Sequence, residues 1–340
     1  MDFPLKPYTR YWYTIAVRSD HGEEAVSQPC FFETGKLDDP WKGQWLGVED
    51  GDTHPEFQKT FSLPEKPRSA RLYICGLGLF EAYLNGGKAG NDLLTPFLND
   101  YTEHFQYCTY DVTSLLAQDN TLSVLLGDGW YRGHFGLGEP THYERPLALI
   151  AELCMEFADG HTETLRSDSG WQYRSSFTTL SDIYNGETQD YTKASGDWKQ
   201  PVLIPAPGRL CDRYSSPLHY MESIPVKEVI HTPAGETVLD FGQNFAGHVV
   251  CTQPIPNGTA MTLEFGEVLQ NGNFYHENYR HAESKFTYVS DGISREIRPR
   301  FTFFGFRYVK VSGLERVDAA CFEGRAIYSE MDRTGFIQIG

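Results

Sequence analysis

Short stretches in which apolar and polar residues alternate, separated by turn signals, constrain the fold of this chain more than any other feature. Such alternation runs along Tyr11–Arg18 and predicts a strand, because every second side chain of a strand points to the same face. A second apolar run, Leu149–Phe157, is followed by Asp159-Gly160 and then by a polar run. Asp-Gly between two such runs predicts a β-hairpin.

The same hairpin signal recurs at Asp291-Gly292, between Phe286–Ser290 and Ile297–Phe304. Helical periodicity is short by comparison and is confined to Asp111–Gln118, which begins with a good N-cap residue. The 20 Tyr and 22 Phe favour strands, and the 32 Gly and 19 Pro favour turns. The sequence therefore predicts an all-β protein built from sandwiches or barrels.

Changes in composition predict the domain boundaries. The polar segment Leu37–Pro40 is typical of a linker, and four prolines within Pro201–Pro217 exclude regular strand pairing there. The part before residue 37 has room for about three strands, whereas an independent sandwich needs about seven, so it resembles the end of a larger domain. The predicted segments are 1–36, 37–212, 213–330 and a short terminal stretch, 331–340.

Charge and cysteine usage narrow the function classes. The chain has 29 Lys plus Arg against 46 Asp plus Glu, a net charge of −17, which disfavours nucleic acids and anionic membranes as partners. No apolar run approaches the roughly 18 residues of a membrane helix, and Met1–Arg10 lacks a signal-peptide pattern. Seven scattered cysteines without a C-x-x-C pair suit a reducing compartment. The sequence thus predicts a cytoplasmic protein.

Most searches for catalytic motifs fail. His276 and His281 are five residues apart, whereas a helical zinc site needs four so that both rings share one face. Glu264 and Glu267 are three apart in a predicted strand, so they point to opposite faces and cannot form the facing carboxyl pair of a glycosidase. We expect Glu267 to be a structural residue, hydrogen-bonded beneath a loop.

The loop Gly127–Gly133 is the best binding candidate. Trp130 and Tyr131 could stack on the apolar face of a sugar, while Asp128 and Arg132 could bond its hydroxyl groups. The alternative is that both rings belong to the core and that the glycines shape a tight corner.

A series of short motifs runs in order through almost the whole chain. They are Pro7–Val17, Phe32–Gly35, Tyr83–Gly86, Leu94–Pro96, Tyr107–Thr113, Gly127–Tyr131, Asn185–Glu187, Asp240–Gly247, Phe265–Leu269, Asn278–Ala282, Phe301–Tyr308 and Arg333–Phe336. Together they resemble the N-terminal, non-catalytic half of bacterial α-L-rhamnosidases, glycoside hydrolase family 78.

The resemblance implies tandem β-sandwiches. Residues 1–36 would be the end of a fibronectin type III-like domain, 37–212 a jelly-roll, galactose-binding-like domain, and 213–330 a concanavalin-like sandwich. In this family an (α/α)₆ barrel carries the catalytic acid and base, and that barrel should begin near Phe336, whereas this sequence ends at Gly340. We therefore expect an accessory fragment of an enzyme that removes terminal α-L-rhamnose, with no catalytic residue of its own, inactive alone and partnered by the missing barrel.

The resemblance also implies a sugar site in the jelly roll, and it adds Asn85 to the candidates Asp128, Trp130, Tyr131 and Arg132. Some family members bind rhamnose there through calcium, and several side chains here offer hard oxygen ligands. They are Asn85, Asn91, Asp92, Asn99, Asp100 and Asp128. Two alternatives stay open, namely a free-standing lectin-like module and a purely structural scaffold.

Overall fold

β-Strands dominate the structure, a computed structural model that describes residues 3–49, 51, 54–134, 146–193 and 196–338. Within those ranges the helices are single 3₁₀ turns, at Thr113–Leu115, Glu277–Tyr279 and Ala319–Cys321. The all-β prediction is confirmed, while the helix predicted over Asp111–Gln118 shrinks to the first of these turns. In the described part of the chain, no helix has the length and apolar character needed to cross a membrane.

Two small ribbons, which we call the N-terminal ribbons, open the chain. Their strands are β1 (Arg10–Tyr13), β2 (Ala16–Arg18), β3 (Glu24–Val26) and β4 (Cys30–Glu33). β1 pairs with β4 and β2 with β3, both antiparallel. The single strand predicted over Tyr11–Arg18 is therefore wrong, because the chain changes its partner strand between Tyr13 and Ala16.

A buried lysine anchors the ribbons to the body of the protein. The Lys36 side chain is 2% exposed, and its Nζ lies 2.6 Å from Oε2 of Glu152 and 2.8 Å from the Tyr8 hydroxyl. Nζ also sits 4.7 Å from the ring centre of Trp41. A buried ammonium group is tolerated only with such partners. This contact therefore fixes the position of the chain just after β4, where the ribbons join the body of the protein.

The next strands form the first sandwich, together with a hairpin that leaves it. They are β5 (Trp45–Gly47), β6 (Pro55–Ser62), β7 (Ser69–Leu77), β8 (Leu79–Leu84), β9 (Gly87–Lys88), β10 (His104–Asp111), β11 (Asp119–Gly127), β12 (Ala148–Glu156), β13 (Thr162–Arg166), β14 (Gln172–Ser175), β15 (Thr178–Asp182), β16 (Gly186–Asp190), β17 (Val202–Ile204) and β18 (Arg209–Asp212). One sheet has the order β17-β5-β12-β7-β10-β18, with β13 beside β12, and it faces the sheet β14-β6-β11-β8-β9. The hairpin predicted at Asp159-Gly160 is confirmed as β12 and β13. The prediction that prolines exclude strand pairing within Pro201–Pro217 is wrong, because the short strands β17 and β18 fit between the prolines and pair with β5 and β10.

The remaining strands form the second sandwich. They are β19 (Leu218–Pro225), β20 (Glu228–His231), β21 (Thr237–Cys251), β22 (Ala260–Gly266), β23 (Val268–Gln270), β24 (Asn273–Tyr275), β25 (Lys285–Val289), β26 (Phe304–Ser312) and β27 (Phe322–Ser329). The nine-stranded sheet has the order β15-β16-β25-β22-β26-β21-β27-β19, with β20 beside β21. It therefore includes β15 and β16, whose sequence lies inside the segment predicted for the jelly roll.

The second predicted hairpin is only half present. Phe286–Ser290 corresponds to β25, but Ile297–Phe304 is not a strand: Ile297 forms one bridge to Cys251, and β26 begins only at Phe304. The intervening backbone is used elsewhere, since the N–H groups of Arg300 and Phe301 donate to a carboxylate on β16.

Each sandwich has its own apolar core, and a third apolar cluster joins them. That cluster combines side chains of both sandwiches and forms the apolar part of what we call the seam: Leu79, Leu93, Leu94, Leu125, Phe301 and Ile327. Fully burying one such side chain contributes about 1.5–3 kcal/mol. The two sandwiches are therefore in extensive apolar contact.

Candidate functional site

The loop Gly127–Gly133 leaves the end of β11 and lies beside the seam. Oδ2 of Asp128 is 3.3 Å from Nε2 of His54, and its Oδ1 is 3.6 Å from Nε of Arg132. The backbone N–H of Asp128 donates to the hydroxyl of Ser181, on β15. Asp128 and Arg132 are thus brought together.

The two aromatic candidates of this loop face the protein. Tyr131 is 1% exposed and packs edge-to-face on Tyr101, with 5.2 Å between ring centres. Trp130 is half-buried against both the first core and the seam cluster, where its ring lies 6.5 Å from that of Phe303. Tyr131 therefore offers no open face for sugar stacking, whereas Trp130 remains partly exposed.

Asn85 lies far from the other candidates. It occupies the turn after β8, with φ of 53°, and its side chain bonds Leu115, Asn120 and Thr121. Asp128 lies beyond the opposite end of β8, because Gly127 pairs with Leu79. Six residues of strand separate the two ends, which is about 20 Å.

Unsatisfied polar atoms mark the Asp128 side of the loop. Nδ1 of His54 and Oδ1 of Asp128 are buried and have no hydrogen-bond partner among the described residues. His54 also adopts a left-handed backbone with φ of 48°, which is unusual for a residue with a side chain. Arg132, with 29% of its side chain exposed, is the most exposed of these three residues.

A second polar cluster completes the surroundings of the loop. His134 donates its N–H to Oδ2 of Asp182 and places Nδ1 2.9 Å from the same oxygen. The side-chain amide of Asn185 lies 3.0 Å from that Nδ1. Sequence reasoning missed His54, His134 and Asp182, because they are 48 to 74 residues from the groups they contact and no local motif connects them.

Sequence reasoning also missed an ion cluster in the seam. Oε1 of Glu81, on β8, lies 2.8 Å from Nη2 of Arg298, and its Oε2 lies 2.5 Å from Nη1 of Arg300. Tyr83 donates to the same carboxylate, and Lys88 is 3.6 Å away. Burial raises the pKa of Glu81, but the charges of Arg298 and Arg300 outweigh it and hold that pKa well below its usual range.

Beside this cluster, a neutral histidine is fully buried. Nε2 of His248 is 2.6 Å from the carbonyl oxygen of Thr302, so Nε2 carries the proton, and Nδ1 accepts from the Tyr220 hydroxyl at 2.7 Å. Burial and the nearby charge of Arg298 lower the pKa of His248 to about 3.

Glu264 and Glu267, the two carboxylates of the second sandwich considered as a catalytic pair, already have bonding partners. Glu264 forms an ion pair with Lys310 at 2.7 Å. Glu267 accepts one hydrogen bond from the amide of Asn244 and another from that of Asn278. Glu267 is therefore hydrogen-bonded, as predicted, and Glu264 is held by an ion pair.

The side chains suggested for calcium do not fit a calcium site. Asp92 forms an ion pair with Arg213 at 2.7 Å and lies 2.9 Å from Nε2 of His219. The side-chain Oδ1 of Asn99 accepts from the backbone N–H and the side-chain amide of Gln106. Asn85 and Asp128 lie at opposite ends of β8, Asp100 accepts from Thr102 in its own turn, and Asn91 is exposed. Among the described residues, His, Cys, Asp and Glu form no group of three or more that could hold a metal ion.

Comparison with known families gives two matches, in the order of the two sandwiches. The alpha-L-rhamnosidase N-terminal domain matches residues 65–219, and the bacterial alpha-L-rhamnosidase concanavalin-like domain matches residues 230–328.

Curated relatives carry the same name. An alpha-L-rhamnosidase of Streptomyces avermitilis is 38% identical over 76% of this chain, and one of an Alteromonas species is 32% identical over 91%. The matches cover only 27% and 36% of those proteins, so this chain spans about a third of their length.

Solved structures agree. The alpha-L-rhamnosidase of Aspergillus terreus superposes with a TM-score of 0.89 at 29% identity, over 98% of this chain and 42% of that one. The Streptomyces avermitilis enzyme in complex with L-rhamnose gives 0.90 at 22% identity, over 96% and 50%. The chain therefore belongs to the α-L-rhamnosidase family, of which it carries the N-terminal domain and the concanavalin-like domain.

Proposed function

We propose that this chain is the accessory β-sandwich part of an α-L-rhamnosidase that removes terminal α-L-rhamnose from glycosides. The observation that carries the proposal is the succession of two family matches, 65–219 and 230–328, one on each sandwich. In this proposal residues 1–36 are the end of a fibronectin type III-like domain, and the sandwiches pack against a C-terminal catalytic barrel and orient it.

The accessory role requires that the chain alone be inactive. Glycoside hydrolysis needs two carboxyl groups facing each other across roughly 5–10 Å. Glu264 is tied to Lys310 and Glu267 to two amides, which supports inactivity. We expect no turnover of a chromogenic α-L-rhamnoside by this chain. Turnover that is lost in Glu264→Gln or Glu267→Gln would overturn the accessory role.

A sugar site in the first sandwich is the second part of the proposal. Asp128 and Arg132 would bond the hydroxyl groups of L-rhamnose, with Tyr131 and Trp130 holding the loop from behind. Its support is a pair of buried polar atoms, His54 Nδ1 and Asp128 Oδ1, that have no hydrogen-bond partner among the described residues and lie beside the partly exposed Arg132. Asn85 would belong to no common site with them.

Chemical-shift mapping with L-rhamnose tests the site. Affinity near millimolar, about −4 kcal/mol, is expected for one small polar ligand. Arg132→Ala should abolish the shifts near the loop while leaving the melting temperature nearly unchanged. Arg166→Ala, an exposed residue of β13, is the matched control and should bind normally. Shifts that persist in Arg132→Ala would remove the loop from the site, and their absence in the unmodified chain would favour a scaffold.

We also propose that the protein works in the cytoplasm. All seven cysteines carry free thiols, and Cys75, Cys108 and Cys251 are buried. Burial raises the pKa of each of these three thiols, so they stay protonated and unreactive. Such thiols suit a reducing compartment.

A further inference from the structure

The hairpin β15–β16 crosses from one sandwich to the other. β14, which precedes it, and β17 and β18, which come after it, pair within the first sandwich. The hairpin itself joins the sheet of the second, where residues 187–190 of β16 pair in parallel with residues 286–289 of β25. The second sandwich therefore takes two of its strands from the sequence of the first.

Side-chain bonds tie the crossing hairpin to the segment before β26. The buried carboxylate of Glu187 accepts the backbone N–H groups of Arg300 and Phe301, at 2.9 and 2.8 Å. The amide of Gln189 donates to the carbonyl oxygen of Arg298, and the Thr302 hydroxyl donates to the carbonyl oxygen of Ile183. These bonds replace the strand pairing that residues 298–302 lack.

The loop after β11 packs closely against both the second sandwich and the crossing hairpin. A Cβ at Gly127 would collide with the ring of Phe301, from the second sandwich, and one at Gly133 would collide with the carboxylate of Asp182, from the crossing hairpin. The glycines are therefore needed for close approach of protein to protein at these two places.

The ion cluster holds the same surfaces together. Glu81 comes from the first sandwich and Arg298 and Arg300 from the second, and all three side chains are 17% exposed or less. Such a cluster is stable only while its members keep their geometry, because each charge separated from its partner would remain in a medium of low polarity.

From these contacts we infer that the first and second sandwiches are one folding unit with a fixed relative orientation, and that the seam is the docking surface on which the second sandwich is held. The motif Gly127–Gly133 has its inner side on this surface. A boundary drawn near residue 212 separates two segments of sequence but not two units of unfolding.

Native-state hydrogen exchange of the unmodified chain in increasing urea is the first test. If the sandwiches unfold together, the most protected amides of β12 and of β26 converge on one opening free energy and one urea dependence. Two separate urea dependences at all concentrations would overturn the inference.

Core variants remote from the seam cluster give the second test. Val309, on β26, is fully buried in the second core, and Leu153, on β12, is 1% exposed in the first. Val309→Ala should lower protection of the slowest amides roughly 10- to 100-fold, by the same factor in β12 as in β26. Leu153→Ala should have the reciprocal effect.

Gly305→Ala is the matched control, since this exposed glycine of β26 has open space where a Cβ would stand. It should change protection in neither sandwich. A fall confined to β26 in Val309→Ala, with β12 unaffected, would overturn the inference, whereas loss of rhamnose binding would leave it standing.

Discussion

The seam and the N-terminal ribbons both depart from the usual pattern of buried apolar and exposed charged side chains. The seam buries charged side chains, whereas the ribbons expose apolar ones. In the seam, Glu81, Arg298 and Arg300 are buried with side-chain exposures of 5%, 11% and 17%. In the ribbons, Trp12 is 63% and Ile15 57% exposed. Burial of charge costs free energy unless partners are placed accurately, whereas an exposed apolar side chain gains nothing on folding. The seam therefore specifies how the two sandwiches are arranged, whereas the ribbons contribute little to the stability of the rest of the chain.

Removing the central carboxylate should give the largest effect. Glu81→Ala leaves the buried guanidinium of Arg300 without its anion and leaves Arg298 with only Glu296, 3.7 Å from its Nε. We expect a loss of about 3–5 kcal/mol in the free energy of unfolding, measured in urea. Glu81→Gln, which can still accept a hydrogen bond from Tyr83, should lose less. A loss below about 1 kcal/mol in Glu81→Ala would mean that a substitution in the seam costs little more stability than one in the ribbons.

Acidification should weaken the seam through His248. Its pKa in the folded chain, about 3, is below the ordinary value near 6.5, so the unfolded chain takes up a proton that the folded chain does not. Stability then falls as pH drops from about 6.5 toward 3, by up to about 1.4 kcal/mol per pH unit. In His248→Gln the loss of stability between pH 6.5 and pH 4 should be smaller by about 3 kcal/mol. Parallel curves for the two proteins would exclude the histidine as its source.

Filling the closest approach in the seam should have an intermediate effect. Gly127→Ala forces the ring of Phe301 to move, and overpacking of this kind costs about 1–3 kcal/mol. Differential scanning calorimetry of Gly127→Ala beside Gly305→Ala measures the difference. Equal melting temperatures for both variants would show that Phe301 relaxes freely.

The ribbons should give the smallest effect. Trp12→Ser changes a side chain that is already in water, apart from contact with the Phe31 ring at 5.1 Å, and should cost less than about 0.5 kcal/mol. Hydrogen exchange along residues 11–18 should be fast compared with the sandwiches. Strong protection there, without any contact to later residues, would contradict the comparison.

The sequence predicts the strand content and the local turns because both depend on neighbouring residues. Asp159-Gly160 lies where a tight turn is required, and Asp128 and Arg132 meet because they are four residues apart. The family resemblance is likewise local, since it rests on short motifs such as Gly127–Tyr131.

The seam escapes prediction because its members are distant in the chain. Glu81 and Arg300 are 219 residues apart, and no residue near either one in the sequence indicates that the two are in contact. One signal was available: Leu79, Glu81 and Tyr83 share the face of β8 opposite to Phe80, and apolar residues on both faces of a strand indicate a second packing surface. The strand predicted over Ile297–Phe304 failed for the same reason, because the backbone N–H groups of Arg300 and Phe301 donate to Glu187, 113 and 114 residues away in the sequence.

The crossing hairpin also bears on how such genes can be recombined. A fusion junction placed near residue 213 would transfer a second sandwich without β15 and β16, and would expose the edge of β25 that β16 covers. A junction in the Leu37–Pro40 segment, or one after β27, interrupts no strand of either sandwich. In the shuffling of enzyme modules, natural or engineered, the smallest cassette that can be moved intact therefore contains both sandwiches.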